Sequence, residues 1–231
     1  MLSPKLSIII PVYNEENHIE KIITEVQNAP IKIASEIIIV DDGSTDKTID
    51  ILKKYSTNKN FKIIFLPKNK GKGAAIRKGL KLATGDIILI QDADDEYSVK
   101  DYPAILEPII RGNAQVVYGS RFLGQISEMR WQNFLANKIL TLTANILYGL
   151  KITDEATAYK AFKKEVIESL KLKCERFEFC PEVTAKIAKK GFKIKEVPIT
   201  YHARNAKAGK KIKLKDAFSA FWTLIKYRFK D

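Results

Sequence analysis

The sequence predicts an α/β domain with a mainly parallel central sheet flanked by helices, and three observations predict it. Short runs rich in Ile, Leu and Val recur between segments of helical periodicity, the alternation that successive βαβ units produce. The runs are apolar throughout, as strands buried on both faces are. Several end abruptly in polar or acidic groups, and ligands of open α/β sheets sit just beyond the carboxyl ends of the strands.

The elements follow in order. Leu6–Val12 is an apolar strand that ends around Pro11, and Asn14 stands where it can cap a helix whose apolar face is Ile19, Ile22, Ile23 and Val26. Glu36–Val40 is a second strand, ending in Asp41–Asp42–Gly43–Ser44, and a helix from about Asp46 to Tyr55 follows. Phe61–Leu66 is a third, then a glycine-bearing turn and a helix from about Gly73 to Ala83; Ile87–Gln91 is a fourth. After Asp101 the rhythm changes. Gln115–Tyr118 reads as a short strand, and Trp131–Leu150 as a helix apolar around much of its circumference. Ala158–Phe162, a helix near Pro181–Lys190, a strand Phe192–Val197, a basic loop and a last helix complete the chain. No internal repeat or Pro/Gly/Ser-rich linker divides it, so 1–231 is expected to form one domain, with a first half at about 1–120 and a second at about 121–231.

Composition narrows the class. The chain has 231 residues, 45% hydrophobic and 29% charged, enough to bury a core, and a net charge of +13 that suggests an anionic partner. Cys174 and Cys180 lack the spacing and the nearby histidines of a zinc site and read as idle thiols in a reducing compartment. The first residues lack a signal-peptide pattern, and no apolar run approaches the roughly 20 residues of a membrane span. The expectation is a cytoplasmic protein that does not cross the bilayer by itself.

The chemistry gathers at strand ends. In Gly85–Asp94 an apolar strand stops in Asp92–Ala93–Asp94. Two carboxylates one residue apart repel each other unless a hard cation bridges them to a phosphate, which suits Mg²⁺. An isolated Asp-x-Asp also describes an acidic turn before a helix, so its neighbours decide. Tyr13 can offer an aromatic face to a base, and Asp41 or Asp42 can accept from a base N–H or ribose hydroxyls. Gly71 and Gly73 permit close backbone approach before a helix N-terminus, where anions are favoured, with Arg77 one turn further on.

Taken together, Pro11–Val12–Tyr13–Asn14–Glu15, Val40–Asp46, Asn69–Gly73, Gln91–Asp94 and Gly119–Ser120–Arg121 resemble the inverting family-2 glycosyltransferases of GT-A fold. Within these the chain looks most like the dolichyl-phosphate mannose synthase and polyprenyl-phosphate glycosyltransferase branch. The resemblance implies that Asp92 and Asp94 hold Mg²⁺ or Mn²⁺ on the diphosphate of a nucleotide sugar. It implies a donor pocket shaped by Pro11, Val12, Tyr13, Glu15, Asp41, Asp42, Gly71, Gly73, Arg77, Asp92 and Ala93. Mannose synthases often carry Asp-Ala-Asp-Leu-Gln; here Asp95 replaces the Leu, and Glu96 falls where the Gln would be, as a candidate third metal ligand. That departure bears on the donor, for which GDP-mannose is the first choice and UDP-glucose or another UDP-sugar the next.

The second half bears on the acceptor. A sugar hydroxyl needs a general base, whereas a lipid phosphate is already anionic and needs cations to hold it. Arg121 and Arg204 match arginines that resemble the family's lipid-phosphate ligands, with Ser120 beside the first; the family's further arginine has only an approximate match at Arg130. Asp154, in Thr153–Lys160, is the candidate base if the acceptor is a hydroxyl, with Glu155 as runner-up. From Lys186 to Lys230 the chain carries fourteen Lys/Arg against two acids, around Phe218, Phe221, Trp222, Leu224, Ile225 and Phe229. Such a basic amphipathic helix lies on an anionic bilayer surface or packs on its own domain.

The expected activity is therefore metal-dependent, inverting transfer of a hexose from a GDP- or UDP-sugar to dolichyl or polyprenyl phosphate. It is expected peripherally at the cytoplasmic face, by itself or with a membrane-anchored partner subunit. Glycan elongation through a hydroxyl, with Asp154 as base, is the alternative. A nucleic-acid binder is remoter, because it leaves the acidic strand ends unexplained; no nucleic-acid partner is expected.

Overall fold

A computed structural model describes residues 3–203 and 214–230. Strand β1, Leu6–Val12, is buried along its whole length, because it runs between two parallel neighbours. On one side lies β2, Ser35–Asp41, with β3, Phe61–Phe65, beyond it; on the other lies β4, Ile87–Ile90. The second half adds β5 (Val116–Ser127), β6 (Lys160–Lys163) and β7 (Ile194–His202), giving the order β3-β2-β1-β4-β6-β5-β7. β6 runs antiparallel to β4 and β5, and β7 is parallel to β5. Pro11 pairs with Val40 but lies past the last paired residues of β4, Ile9↔Ile90, where its missing N–H costs no ladder bond.

The helices are α1 (Ile19–Gln27), α2 (Thr48–Lys54), α3 (Lys72–Leu80), α4 (Tyr102–Ile110), α5 (Trp131–Tyr148), α6 (Lys164–Ser169), α7 (Phe179–Lys189) and α8 (Leu214–Phe229). Alternate β1 side chains feed opposite faces of the sheet. Leu6, Ile8 and Ile10 pack with Ile19, Ile22, Ile23 and Ile105, while Ile9 packs with Ile76, Val166 and Val183. Each such side chain contributes about 1.5–3 kcal/mol by leaving water. A satellite cluster of Ala144, Ala185, Leu224 and Tyr227 joins α5, α7 and α8. Among the described residues no helix is long and apolar enough to cross a membrane.

At the amino ends of the strands, Glu36 accepts from Ser7 Oγ at 2.6 Å, Thr84 N at 2.7 Å and Lys62 Nζ at 2.7 Å. Burial works to raise its carboxyl, but these partners outweigh it and hold Glu36 well below the usual carboxylate range.

Several local expectations are corrected. Asn14 does not cap α1. Its backbone has φ +50°, its N–H donates to Ser44 Oγ at 2.9 Å, and its Oδ1 accepts from Thr45 N at 2.7 Å. Asn14 thus ties the loop after β1 to the loop after β2. The strand at Gln115–Tyr118 extends to Ser127, because β7 continues beside it after a register shift between Ser120 and Gln125. The helices α4 and α6 are additions to the expected elements: α4 carries prolines near its start and at Pro108, and α6 has only six residues, which weakens their helical signals. The register of β5 against β7 depends on Gly124, where a Cβ would stand 2.0 Å from the Ile199 carbonyl oxygen. Gly124→Ala should destabilise the domain by about 2–3 kcal/mol, read as a lowered denaturant midpoint, since backbone rather than a flexible side chain must move.

Candidate functional site

Because β1 to β4 are parallel, their carboxyl ends share one edge. β5 leaves toward that edge, and antiparallel β6 starts from it, so Ser120–Arg121 and the residues before Lys160 arrive there as well. The strand order turns at β1/β4, the switch point where a crevice opens in such sheets. Tyr13, Asp41, Asp42, Asp92, Asp94, Arg121 and Asp154 are thus drawn from distant sequence to one edge.

The two carboxylates after β2 have different surroundings. Asp41 is fully buried; its Oδ2 accepts from Gly43 N and Ser44 N, both at 3.1 Å, while its Oδ1 has no hydrogen-bond partner. Asp42 accepts from Lys70 N at 2.9 Å and Gly71 N at 2.6 Å, so it holds the glycine loop against the end of β2. Burial raises the Asp42 carboxyl, and these amides offset part of that. Glu15 is buried, with Oε2 3.0 Å from His18 Nδ1 in its own turn and its N–H donating to Thr48 Oγ1 at 2.9 Å at the start of α2. Pro11 and Val12 are buried strand residues, and Tyr13 is half-buried where β1 ends.

The glycine loop is packed closely against another part of the chain. Gly71 has φ +105°, and a Cβ there would stand 2.6 Å from the Glu175 carbonyl oxygen; one on Gly73 would stand 2.7 Å from the Cys174 carbonyl oxygen. The close approach these glycines permit is to residues 174–176 of the chain itself. Ala74 N at the start of α3 donates to Glu175 O at 2.8 Å. Arg77 likewise donates to the Lys173 carbonyl at 2.6 Å, bracing the same segment.

The Asp-Ala-Asp turn carries a feature the sequence reading missed. Lys72, the first residue of α3, places Nζ 2.8 Å from Asp92 Oδ2 and 2.5 Å from Oδ1. Burial works to lower the Lys72 pKa, but Asp92 and its acidic neighbours win and raise it, so the group is a cation. A cation at a helix amino terminus opposes the helix dipole, which is the signal that could have marked it. Ala93 is buried, and Asp94 Oδ1 accepts from Glu96 N at 3.4 Å. Glu96 does not join the carboxylate pair: it is buried, with Oε2 accepting from Tyr201 OH at 2.7 Å. Among the described residues no three metal-type side chains converge. The donor set still fits Mg²⁺ or Mn²⁺, since two hard carboxylates are the share a protein supplies when substrate phosphates complete the shell. Asp92 and Asp94 would hold it.

Behind this turn sits another unforeseen group, Gln91. It is fully buried, and its Oε1 accepts from Tyr102 OH at 2.8 Å and Tyr159 OH at 2.6 Å, while Nε2 donates to Asp92 O at 2.8 Å. The amide thereby anchors the backbone of the acidic turn to the core.

Arg121 and Asp154 form the other fixed charge pair. Asp154 Oδ2 accepts from Arg121 N at 3.0 Å and Nε at 2.7 Å, and Oδ1 from Nη2 at 2.8 Å; Asp154 is fully buried and Arg121 is 6% exposed. Burial works to raise the Asp154 carboxyl, but Arg121 prevails and holds it below its ordinary range. Asp154, a candidate base, is therefore committed to orienting the guanidinium. Glu196 holds the loop in turn, accepting from Thr153 N at 2.7 Å and Asp154 N at 3.0 Å. Ser120, expected beside the lipid phosphate, is instead fully buried with Oγ 2.6 Å from Thr153 Oγ1. Arg204 lies outside the described residues. Arg130 directly precedes α5.

The site's class is an α/β domain whose charged groups collect at the carboxyl edge of a sheet of GT-A type. A family model described as "Glycosyl transferase family 2" matches residues 7–171. The chain belongs to that family. It is 31% identical over 212 residues to the low-salt glycan biosynthesis hexosyltransferase Agl6 of Haloferax volcanii, covering 90% of this chain and 50% of that protein. It is 31% identical over 218 residues to the dolichol-phosphate mannosyltransferase of Pyrococcus furiosus, covering 93% and 61% respectively. The chain thus spans about half to three-fifths of these relatives' lengths. A UDP-N-acetylglucosamine–dolichyl-phosphate N-acetylglucosaminyltransferase of Methanococcus voltae is 32% identical over 219 residues, 86% of each chain. Among solved structures, glucosyl-3-phosphoglycerate synthase of Mycobacterium tuberculosis with UDP shares the fold at TM-score 0.76 and 19% identity, covering 99% of this chain and 81% of that one. The same enzyme has been solved with Mn²⁺, UDP and glucosyl-3-phosphoglycerate, at TM-score 0.73, 19% identity and the same coverage.

Beside Asp154, Glu155 is fully buried, and no hydrogen bond of ordinary geometry reaches either carboxyl oxygen although Thr184 lies close. Burial raises its carboxyl above the ordinary value, with Lys160 only partly offsetting this. A raised carboxyl pKa means that the folded state loses stability as pH rises through the ordinary carboxylate range. Glu155→Gln should therefore be more stable than the wild type at pH 8, by about 1–3 kcal/mol. That advantage should shrink toward pH 5, as thermal melts at the two pH values will read.

Proposed function

We propose that the protein transfers a hexose from a nucleotide sugar to dolichyl or polyprenyl phosphate, with inversion at the anomeric carbon. The observation that carries the acceptor is the Arg121–Asp154 pair. The carboxylate that a hydroxyl acceptor would need as base is buried and bidentate on arginine, while the arginine is held rigidly at the carboxyl edge. A lipid phosphate needs no base; it needs a fixed cation, and Arg121 supplies that charge while its Nε and Nη2 stay on Asp154. Arg204 is the second cation proposed for it. The named relatives support this reading: the Pyrococcus and Methanococcus proteins take mannose and N-acetylglucosamine respectively, but both names specify a dolichol phosphate acceptor.

On the donor side, Tyr13, Asp41 and Asp42 face the nucleoside, and Asp92 and Asp94 hold a divalent cation against the diphosphate. When bound, that ion stabilises the charge on the departing nucleoside diphosphate. The chain's part is to align the two substrates across the β1/β4 crevice so that the phosphate oxygen approaches opposite the leaving group. GDP-mannose remains the first donor proposed and a UDP-sugar the second. The decisive test incubates radiolabelled GDP-mannose, UDP-glucose and UDP-N-acetylglucosamine with polyprenyl phosphate, with Mg²⁺ or with EDTA. Label should enter the lipid phase from one donor and only with metal, and Asp94→Ala should abolish it. Label in a glycan instead would move the acceptor to a hydroxyl.

The membrane surface completes the proposal. On α8, Leu224 is fully buried, but Phe218, Phe221, Trp222 and Phe229 are exposed among Lys226, Arg228 and Lys230. On α5, Trp131, Phe134, Leu135, Ile139, Leu142 and Ile146 are exposed, and the helix carries no acidic residue. Aromatic side chains beside cations suit an anionic bilayer, where each Lys or Arg near the surface contributes about 1 kcal/mol. The double variant Phe221→Asp/Trp222→Asp should sediment less with anionic liposomes while donor binding stays unchanged. Equal sedimentation would remove α8 from the membrane contact.

A further inference from the structure

Lys72 occupies a position that folding alone does not favour. It places an ammonium at the first turn of α3, against the dipole and with the side chain only 19% exposed, and aims it at Asp92, which is 16% exposed. Its partner is the first carboxylate of the Asp-Ala-Asp turn, so the position a divalent ion would take at Asp92 already holds a positive charge. Glu96, turned to Tyr201, supplies no third carboxylate there. Among the described residues a free metal ion therefore meets Asp92 and Asp94, and Asp92 is already paired with an internal cation.

We propose that Lys72 is a partner-switching residue that couples metal entry to donor binding. Without donor, its ammonium neutralises Asp92 and keeps divalent cations weakly bound. When a nucleoside diphosphate arrives, the ammonium transfers to the diphosphate oxygens and releases Asp92 to the metal, whose shell the same diphosphate completes. Charges stay paired throughout: one carboxylate and one ammonium before, then carboxylate with metal and ammonium with diphosphate. The step makes and breaks only ionic contacts. It follows that the metal binds with the nucleotide or after it, rather than before it. The inference rests on the metal–nucleotide reading above.

The test compares wild type with Lys72→Met and Lys72→Gln, uncharged replacements of similar length, and with Lys72→Arg as the retained cation. Mn²⁺ binding is followed by electron paramagnetic resonance without nucleotide, and GDP and UDP binding by calorimetry at saturating Mn²⁺. Removing the charge should tighten Mn²⁺ alone at least about tenfold and weaken the preferred nucleotide at least about tenfold, while Lys72→Arg stays near wild type. Opposite shifts in one variant are not what a damaged fold gives, since damage weakens both. Equal Mn²⁺ affinity in wild type and both uncharged variants would overturn the switch. If neither nucleotide binds the wild type with Mn²⁺, the metal–nucleotide reading itself fails, and the switch with it.

Discussion

Buried carboxylates at the carboxyl edge of a sheet have to be compensated, and much of that edge is arranged around how three of them are. Asp42 is compensated by two backbone amides, Asp92 by the Lys72 ammonium and Asp154 by the Arg121 guanidinium. Each compensation also joins parts of the chain far apart in sequence. Asp42 fastens the glycine loop, Asp92 fastens α3, and Asp154 joins the end of β5 to the segment before β6. The charges a ligand would meet are thus the same charges that hold the edge together.

The Arg121–Asp154 pair shows the cost of that economy. Removing one partner of a buried ion pair typically costs about 3–5 kcal/mol, because the other is left uncompensated. The pair also removes conformational freedom from Arg121, and the Tyr201 and Phe122 rings, 5.1 and 5.8 Å from the guanidinium carbon, limit it further. A phosphate bound there would meet a cation already ordered, so less entropy is lost on binding. The tyrosines around Gln91 do the same for the acidic turn. Tyr102 and Tyr159 both donate to one amide oxygen, and burial pushes both hydroxyls well above their usual range, which keeps them neutral donors.

The outer helices reverse an ordinary inference. In α5 the apolar positions 131, 134, 135, 139, 142 and 146 follow the spacing that marks a core-facing stripe, yet all six are exposed. The contact with α7 and α8 is made instead through other positions, Ala144 with Leu140 and Leu147, and through Tyr148 OH donating to Leu224 O at 2.6 Å. Periodicity reports that a helix has an apolar face; it does not report what covers it. The Lys138 ammonium, 3.9 Å from the Phe122 ring centroid, puts a cation within that face, which suits a charged interface better than a dry core.

The parallel strands, the helices between them and the acidic strand ends were legible in the sequence, because burial on both faces writes itself as uninterrupted Ile/Val runs and strand ends as abrupt changes of polarity. The same polarity changes, on parallel strands, place Asp41, Asp42, Asp92 and Asp94 at one edge from the sequence alone. Partner choice was not legible. Gly71 and Gly73 read as permitting close backbone approach, and the approach the fold uses is that of residues 174–176. Glu96, a candidate third metal ligand, meets Tyr201, and Asp154, the candidate base for a hydroxyl acceptor, meets Arg121, and neither partner is visible in the sequence. The extension of β5, the placement of β6 and the seat of Lys72 on Asp92 depend on contacts between residues tens of positions apart. Local sequence carries the period and polarity of an element, whereas which donor meets which acceptor is set only when the chain has folded.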